Sequence, residues 1–256
     1  MLAAERKKLV QQMLSLNEWV SINALSAKFS VSEETIRRDL EQISKLDPSI
    51  VRVHGGAYKI GVRDREAPLS LRKTLSVAQK QRIAQLCYPL IKANDTVMMD
   101  CSTTALYAAR LIKQNGLGVT IITNSLGIAE EFAQSDQVRL ICVGGVLRKN
   151  TQSLIGGVAT KNLGCLNADK CVVSCTGISM EFGITDNNQD EAEVRALMIR
   201  NSREPYLVAD ERKFGKSFVS RFVDFSELTA IITEKYPSEE WQRFLSARGV
   251  SLICPQ

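Results

Sequence analysis

The sequence predicts an α/β chain in two parts, a small N-terminal winged helix-turn-helix and a larger α/β domain with a mostly parallel sheet. Three observations predict it. Three short helical patterns and a glycine-bearing hairpin signature follow one another within the first 58 residues. From about residue 78, short apolar runs alternate with helix-length segments. Charge divides in nearly the same place: residues 1–82 hold 15 Lys and Arg against 9 Asp and Glu, a net of +6, and the remainder is −1. A chain of 256 residues with 45% hydrophobic content suits a small domain plus a medium one. The expected boundaries are 1–58 for the winged helix-turn-helix, 59–77 for a linker and 78–256 for the α/β domain.

The first helix, over 4–16, is expected to turn Leu9, Met13 and Leu16 inward. Ser21 can cap a second helix whose Ile22, Leu25 and Phe29 share one face, and Ser30-Val31 forms the turn after it. The third helix begins in VSEETIRRDL at 31–40. Ser32 is its N-cap, and Glu33 and Glu34 suit the positive end of the helix dipole. Ile36, Leu40 and Ile43 recur at spacings of four and three, so Arg38 and Glu34 point outward with Thr35 and Arg37 on the flanks. The alternating Ile50-Val51-Arg52-Val53, followed by His54-Gly55-Gly56-Ala57-Tyr58, reads as a basic two-stranded wing. An isolated arginine pair is most often a solvated surface. Here it arrives on a capped third helix followed by a wing, which points to double-stranded DNA. Arg63, Arg65, Arg72, Lys73, Lys80 and Arg82 lie beyond the wing, where they either touch phosphates or solvate a linker, the second reading being preferred.

Beyond residue 78, strands are expected at 96–100, 119–123, 138–143, 170–175, 206–209, 230–233 and 250–253. Helices are expected near 78–92, 104–114, 126–135, 190–203 and 239–248. Such alternation indicates βα units. In open α/β sheets, ligands collect at the carboxyl ends of the strands, beside free N–H groups of helix starts. The first strand runs into Asp100-Cys101-Ser102-Thr103-Thr104, where ordinary capping explains one hydroxyl but not three. The second ends at Thr123-Asn124-Ser125 and the third at Gly144-Gly145, with Arg148 and Lys149 just beyond. Farther on stand Thr176-Gly177, Glu191, and Asp210 with Lys213, which either meet a polar ligand or bridge one another.

Seven cysteines at positions 87, 101, 142, 165, 171, 175 and 254 show no C-x-x-C spacing, and the single histidine lies in the wing. A metal site is not expected, nor any cofactor, and reduced thiols suit a cytoplasmic chain. A cysteine switch is a weak alternative, because Cys171 and Cys175 would lie roughly 13 Å apart on one strand. No apolar run approaches the ~20 residues of a membrane-spanning helix, so no membrane partner is expected.

VSEETIRRDL followed by RVHGGA at 52–57 resembles the DeoR family of bacterial transcriptional regulators. DCSTT at 100–104, TNS at 123–125, GG at 144–145 and VADERKFG at 208–215 extend the resemblance over nearly the whole chain. It implies a sensor domain similar in fold to ribose-5-phosphate isomerase and the CoA-transferase relatives. It also implies a regulator, by family habit a repressor, of a carbohydrate-utilisation operon, with operator DNA and a phosphorylated sugar or related metabolite as partners. For DNA the candidate residues are Ser32, Glu34, Thr35, Arg37, Arg38, Arg52 and His54. For the effector, the resemblance assigns Ser102, Thr103 and Thr104 to the phosphate, Asp100 and Asn124 to sugar hydroxyls, and Lys213 to an anionic or carbonyl group. Ser125, Gly144, Gly145 and Glu191 complete that set. The family commonly has glycine before the wing strand, where this chain has Asp47-Pro48-Ser49, and glycine at the positions of Cys101 and Ser174. The last two add side chains near the expected pocket. One small DNA-binding domain buries limited DNA surface, so a homodimer or homotetramer is expected. The alternative is a sugar-phosphate isomerase-like enzyme fused to a DNA-binding domain. Against it, the DGAD run and Gly-rich lysine loop of such enzymes are missing, and the comparable strand reads VVSCTG.

Overall fold

The computed structural model describes residues 2–17, 19–47, 49–53, 55–59 and 69–255. The chain forms two compact units that divide between Leu75 and Ser76.

In the first unit the helices are α1 (Ala3–Asn17), α2 (Ile22–Phe29), α3 (Glu33–Leu46) and α4 (Leu69–Thr74). The strands are β1 (Trp19–Ser21), β2 (Ile50–Val53) and β3 (Gly56–Lys59). Ser21 caps α2 by accepting the Ala24 N–H at 3.1 Å, and Ser30 ends that helix in the left-handed region at φ 51°. Ile22, Leu25, Ile36, Leu40 and Ile43 are buried together, as their spacing requires. On α1 the inward positions are Val10 and Leu14, with Met13 packed beside them, whereas Leu9 and Leu16 are exposed. The inward face of α1 is therefore rotated from the expected one, and the reason is Arg6. Its guanidinium reaches Asp39 of α3 at 2.5 Å in a buried ion pair, which turns the Arg6, Val10 and Leu14 line toward the core. The wing has three strands rather than two, in the order β1-β3-β2. Gly56 sits where a Cβ would come within 1.9 Å of the Val20 carbonyl oxygen, so β1 can pair with β3 only over a glycine. In the unusual turn before the wing, Asp47 accepts the Ser49 N–H at 3.0 Å and its hydroxyl at 2.6 Å. His54 lies outside the described residues, as do residues 60–68 of the expected linker; α4 occupies 69–74 of that stretch.

The second unit is built on seven strands: β4 (Thr96–Met99), β5 (Val119–Thr123), β6 (Val138–Cys142), β9 (Ala168–Val173), β12 (Ser202–Val208), β14 (Ala230–Ile232) and β15 (Ser251–Ile253). All seven expected strands are present and pair in parallel in the order β15-β14-β12-β9-β4-β5-β6. The helices α5 (Val77–Cys87), α6 (Thr103–Gln114), α7 (Leu126–Phe132), α8 (Gly157–Leu163), α9 (Gln189–Arg200) and α10 (Glu239–Ser246) belong to the same unit. Two apolar clusters form its core, one including Ile83, Ala109, Ile112 and Val208, the other Val173, Val194, Met198, Ile231 and Trp241. Sequence reading missed two small sheets: the hairpin of β7 (Val146–Arg148) and β8 (Ser153–Ile155), and the three-stranded set β10 (Gly177–Ser179), β11 (Gly183–Asp186) and β13 (Ser220–Val223).

The strand order fixes where a site can form. The chain enters the sheet at β4, moves out to β5 and β6, then returns to the other side of β4 at β9. Neighbouring loops diverge at such a reversal and leave a crevice outside the carboxyl ends of β4 and β9.

Candidate functional site

Two clusters of polar residues stand out, one in each unit. On α3, the Ser32 side chain accepts the Thr35 N–H at 3.3 Å and lies 2.9 Å from the Thr35 hydroxyl, which satisfies the helix start. Arg37 bonds Glu33 at 2.8 Å, and Arg38 lies 3.6 Å from Glu34. Both arginines are exposed and paired only with carboxylates of their own helix among the described residues. Such exposed i,i+4 pairs contribute about 0.3–0.5 kcal/mol, little enough for a phosphate or base edge to replace them. Arg52 on β2 is also exposed, and it lies close enough to Glu41 to help hold that carboxylate below its usual range after Lys45, the principal cause. Ser32, Glu34, Thr35, Arg37, Arg38 and Arg52 are thus all on α3 and the wing, and the buried Arg6–Asp39 pair fixes α3 against α1.

In the second unit, a buried ion network lies at the strand ends. Asp100, just past β4, accepts the Ser102 N–H at 3.1 Å, the Ser174 N–H at 3.2 Å and the Arg195 Nε–H at 2.7 Å. Arg195 also donates to Asp186 at 2.6 Å and to Glu191 at 3.3 Å, and lies 3.6 Å from the Cys101 sulfur. Glu191 accepts from Arg148 at 2.9 Å and from the Ser153 hydroxyl at 2.7 Å. Burial alone would raise the Glu191 carboxyl, but Arg195 and Arg148, helped by the hydroxyls of Thr151 and Ser153, bring it down to about 2. Burial alone would lower the Arg195 guanidinium, but Asp186 and Asp100 outweigh that cost and hold it well above its ordinary range.

Asp100 and Glu191 therefore belong to the framework: their oxygens are occupied by arginines, hydroxyls and backbone donors. Sequence reading missed Arg195 and Asp186 altogether. The signal for Arg195 was a cation on an otherwise apolar helix face, Ala192, Val194, Ala196, Met198 and Ile199, four residues after Glu191.

The other expected residues are engaged less fully. Ser102 caps α6 by accepting the Ala105 N–H at 3.0 Å, while the buried Thr103 and Thr104 have hydroxyls with no hydrogen-bond partner among the described residues. Asn124 donates to the Leu154 carbonyl at 3.2 Å, yet its Oδ1 is buried and unpartnered among the described residues. Ser125 caps α7 by accepting the Ile128 N–H at 3.2 Å. Gly144 and Gly145 have φ of 71° and 122°, and a Cβ on Gly145 would stand 2.6 Å from the Ile155 carbonyl oxygen, so only glycine lets the β7–β8 hairpin close here. Asp210 bonds Arg212 at 2.9 and 3.0 Å rather than Lys213, which leaves the Lys213 ammonium without an ion-pair partner among the described residues. Lys213 is close enough to Cys175 to oppose the rise of that thiol to about 12, a rise caused by burial.

Among the described residues, no group of three His, Cys, Asp or Glu side chains could hold a metal ion, and no helix is long and apolar enough to cross a membrane.

Comparison with known proteins matches both units. Residues 6–61 match a DeoR-like helix-turn-helix domain and residues 75–235 match the DeoR C terminal sensor domain. An uncharacterized HTH-type transcriptional regulator, YulB of Bacillus subtilis, is 32% identical over 91% of this chain and 90% of its own length. The HTH-type transcriptional repressor GlcR of the same organism is 27% identical over 98% of this chain and 96% of its own. The L-fucose operon activator of Haemophilus influenzae is 26% identical over 97% and 98%. Among solved structures, ribose 5-phosphate isomerase A of Methanocaldococcus jannaschii aligns over 53% of each chain at 15% identity with a TM-score of 0.38.

Proposed function

The chain belongs to the DeoR family of transcriptional regulators, and on that premise we propose that it represses a carbohydrate-utilisation operon until a phosphorylated sugar binds its second unit. DNA binding rests on the capped α3 with its replaceable arginine pairs. Arg37, Arg38 and Thr35 enter the major groove, Ser32 and Glu34 shape the helix start there, and Arg52 and His54 of the wing contact the neighbouring backbone or groove. The carbohydrate assignment draws on relatives such as the L-fucose operon activator, and the repressing direction on GlcR.

The single observation that carries the effector reading is a set of polar groups at strand ends that have no hydrogen-bond or ion-pair partner among the described residues, the buried Asn124 Oδ1 foremost. The Thr103 and Thr104 hydroxyls and the backbone N–H groups of the α6 start suit a phosphate, the Asn124 Oδ1 suits a sugar hydroxyl, and Lys213 suits a second anionic or carbonyl group. Ser125, Gly144 and Gly145 shape the wall around Asn124. Asp100 and Glu191 act one step back, holding the loops in place through Arg195 and Arg148.

Catalysis by an isomerase-like route is disfavoured on the same geometry. The candidate carboxylates Glu191 and Asp210 are bonded to arginines that keep them ionised and poor at taking a proton, and Asp100 is bonded to Arg195.

The test is a thermal-shift screen of the full chain against pentose and hexose phosphates. A ligand that binds only the native state raises the melting temperature. The same compound should release the protein from a duplex enriched from random DNA, and Thr103→Ala should abolish both effects. A compound that stabilises wild type and Thr103→Ala equally would place the pocket elsewhere.

A further inference from the structure

Among the described residues of the second unit, two side-chain oxygens are closed off from solvent and have no hydrogen-bond partner, Asn124 Oδ1 and Asn187 Oδ1. The first belongs to the site already described. The second stands one residue past β11, between Asp186 and the α9 cap Asn188. Its own backbone N–H donates to Asp186 at 2.8 Å, so the main chain is fixed there while the side-chain carbonyl has nothing to accept. A buried acceptor without a donor costs free energy, which a donor on a ligand recovers.

The small sheet brings Asn187 to the same rim as the other open groups. Gly177 at the start of β10 pairs with Thr185 of β11, and Thr176, just past β9, donates its N–H to the Thr185 carbonyl at 3.1 Å. On the other side of β10, Phe214 bridges Ile178 in parallel, which sets Lys213 beside Gly177. Neighbouring strands lie about 4.8 Å apart, so Lys213 and the carboxyl end of β11 stand roughly 10 Å apart across β10. Lys213 and Asp186 are both close enough to the buried Cys175 thiol to act on it. Arg195 completes the connection to β4, bonding Asp186 at 2.6 Å and Asp100 at 2.7 Å.

Resting on the effector reading above, we propose that Asn187 is a specificity-determining residue, whose Oδ1 accepts from a hydroxyl at the end of the sugar opposite its phosphate. The donor follows from the chemistry of the corner. A carbonyl oxygen only accepts, and a phosphate dianion has no proton to give it. An ammonium would stand near the Lys213 cation. A hydroxyl meets neither objection, and the sugar oxygen next to it is then within the reach of Lys213. A sugar phosphate lacking that hydroxyl leaves a buried acceptor unpaired, and sites built to bond a hydroxyl reject such analogues strongly.

Melting temperatures and dissociation constants of the full chain test this, with Asn187→Ala, the bulkier Asn187→Leu and Thr103→Ala beside wild type. The probes are ribose 5-phosphate, glucose 6-phosphate and galactose 6-phosphate, each with its 1-deoxy and 2-deoxy analogues. Without a probe, neither Asn187 variant should melt below wild type, because no hydrogen bond is lost. With the sugar phosphate that stabilises wild type most, both should bind about fivefold or more weakly. One of its deoxy analogues should bind wild type more weakly by a similar factor, and that difference should vanish in Asn187→Ala. Full affinity in both Asn187 variants, with binding abolished by Thr103→Ala, would overturn this assignment alone. The same holds for weaker binding that still discriminates the deoxy analogues, and for a lowered melting temperature of both variants without a probe. No stabilisation of wild type by any probe would overturn the effector reading together with it.

Discussion

Two helices of this protein begin with the same local grammar and end in opposite roles. In α3, Ser32 caps the helix, Glu33 stands in the first turn and Arg37 follows four residues later. In α9, Asn188 caps, Glu191 stands in the first turn and Arg195 follows four later. The first pair has side chains 46% and 44% exposed, Arg before Glu, and the second 5% and 1%. Water screens the first pair, so its arginine can exchange a carboxylate for a phosphate. The second pair has lost its water, and Arg195 must be satisfied by Asp100, Asp186 and Glu191 together. Environment, not sequence spacing, separates the exposed pair from the buried clamp.

The comparison breaks most sharply at Arg195. Arg195→Ala leaves three buried carboxylates with Arg148 as their remaining ion-pair partner among the described residues, and the expected cost is about 3–5 kcal/mol. Urea unfolding of the full chain should show the transition of the second unit moved to lower urea by that amount. If stability falls by less than about 1 kcal/mol, the clamp is not what holds the strand ends, since that is the range of an exposed pair.

Acid should separate the two regions next. The folded Glu191 carboxyl lies at about 2 against an ordinary value of 4.5. A depressed folded value contributes stability that is full above the ordinary value and is lost as pH falls toward 2. The loss is complete once Glu191 is protonated in the folded protein as well. Glu191→Gln should flatten this acid limb of the stability curve in thermal melts between about pH 5 and pH 2.5.

At α3 the expected effect is on binding. Arg38→Ala should weaken the enriched duplex by about tenfold to a hundredfold at fixed salt, on the scale of one arginine–base contact, with an unchanged melting temperature. A variant that binds normally would place the reading contacts on Arg37 and the wing. The smallest effect is expected at Glu33→Gln. Stability should change by less than about 0.5 kcal/mol, while non-specific DNA affinity rises because Arg37 loses the nearer of its two carboxylates and keeps only Glu34 at 3.8 Å. Fluorescence titration against random duplex would detect the difference.

The elements that were legible share one property: their pattern repeats within a single segment. Ile36, Leu40 and Ile43 report one helix face, and strands of the parallel sheet carry apolar stretches, such as Val97-Met98-Met99 in β4 and Tyr206-Leu207-Val208 in β12, because both faces of the sheet are covered. β1, β7, β8 and β10 have three residues each and lie outside the alternation of parallel strand and helix that pointed to the equally short β14 and β15. On α1 two apolar rows competed, and the choice between them was made by Asp39, 33 residues away. The effector candidates were found as hydroxyls and glycines near strand ends, but the division between framework and open atoms was not visible. Asp100 and Thr103 look equally polar in sequence, and only the arrival of Arg195 from 95 residues on occupies one and leaves the other free.

By itself, then, the sequence determined the helix caps, the outward arginines of α3, the strands of the parallel sheet and the family. These depend on neighbours within a few residues, or on motifs carried by short strings. Tertiary structure alone decided which face of α1 is buried, that the wing has a third strand, and that Glu191 and Arg195 form a clamp while Glu33 and Arg37 do not. The physical reason is desolvation: whether a charge keeps its water depends on chain segments far away in sequence, and the strength of every ion pair follows from that.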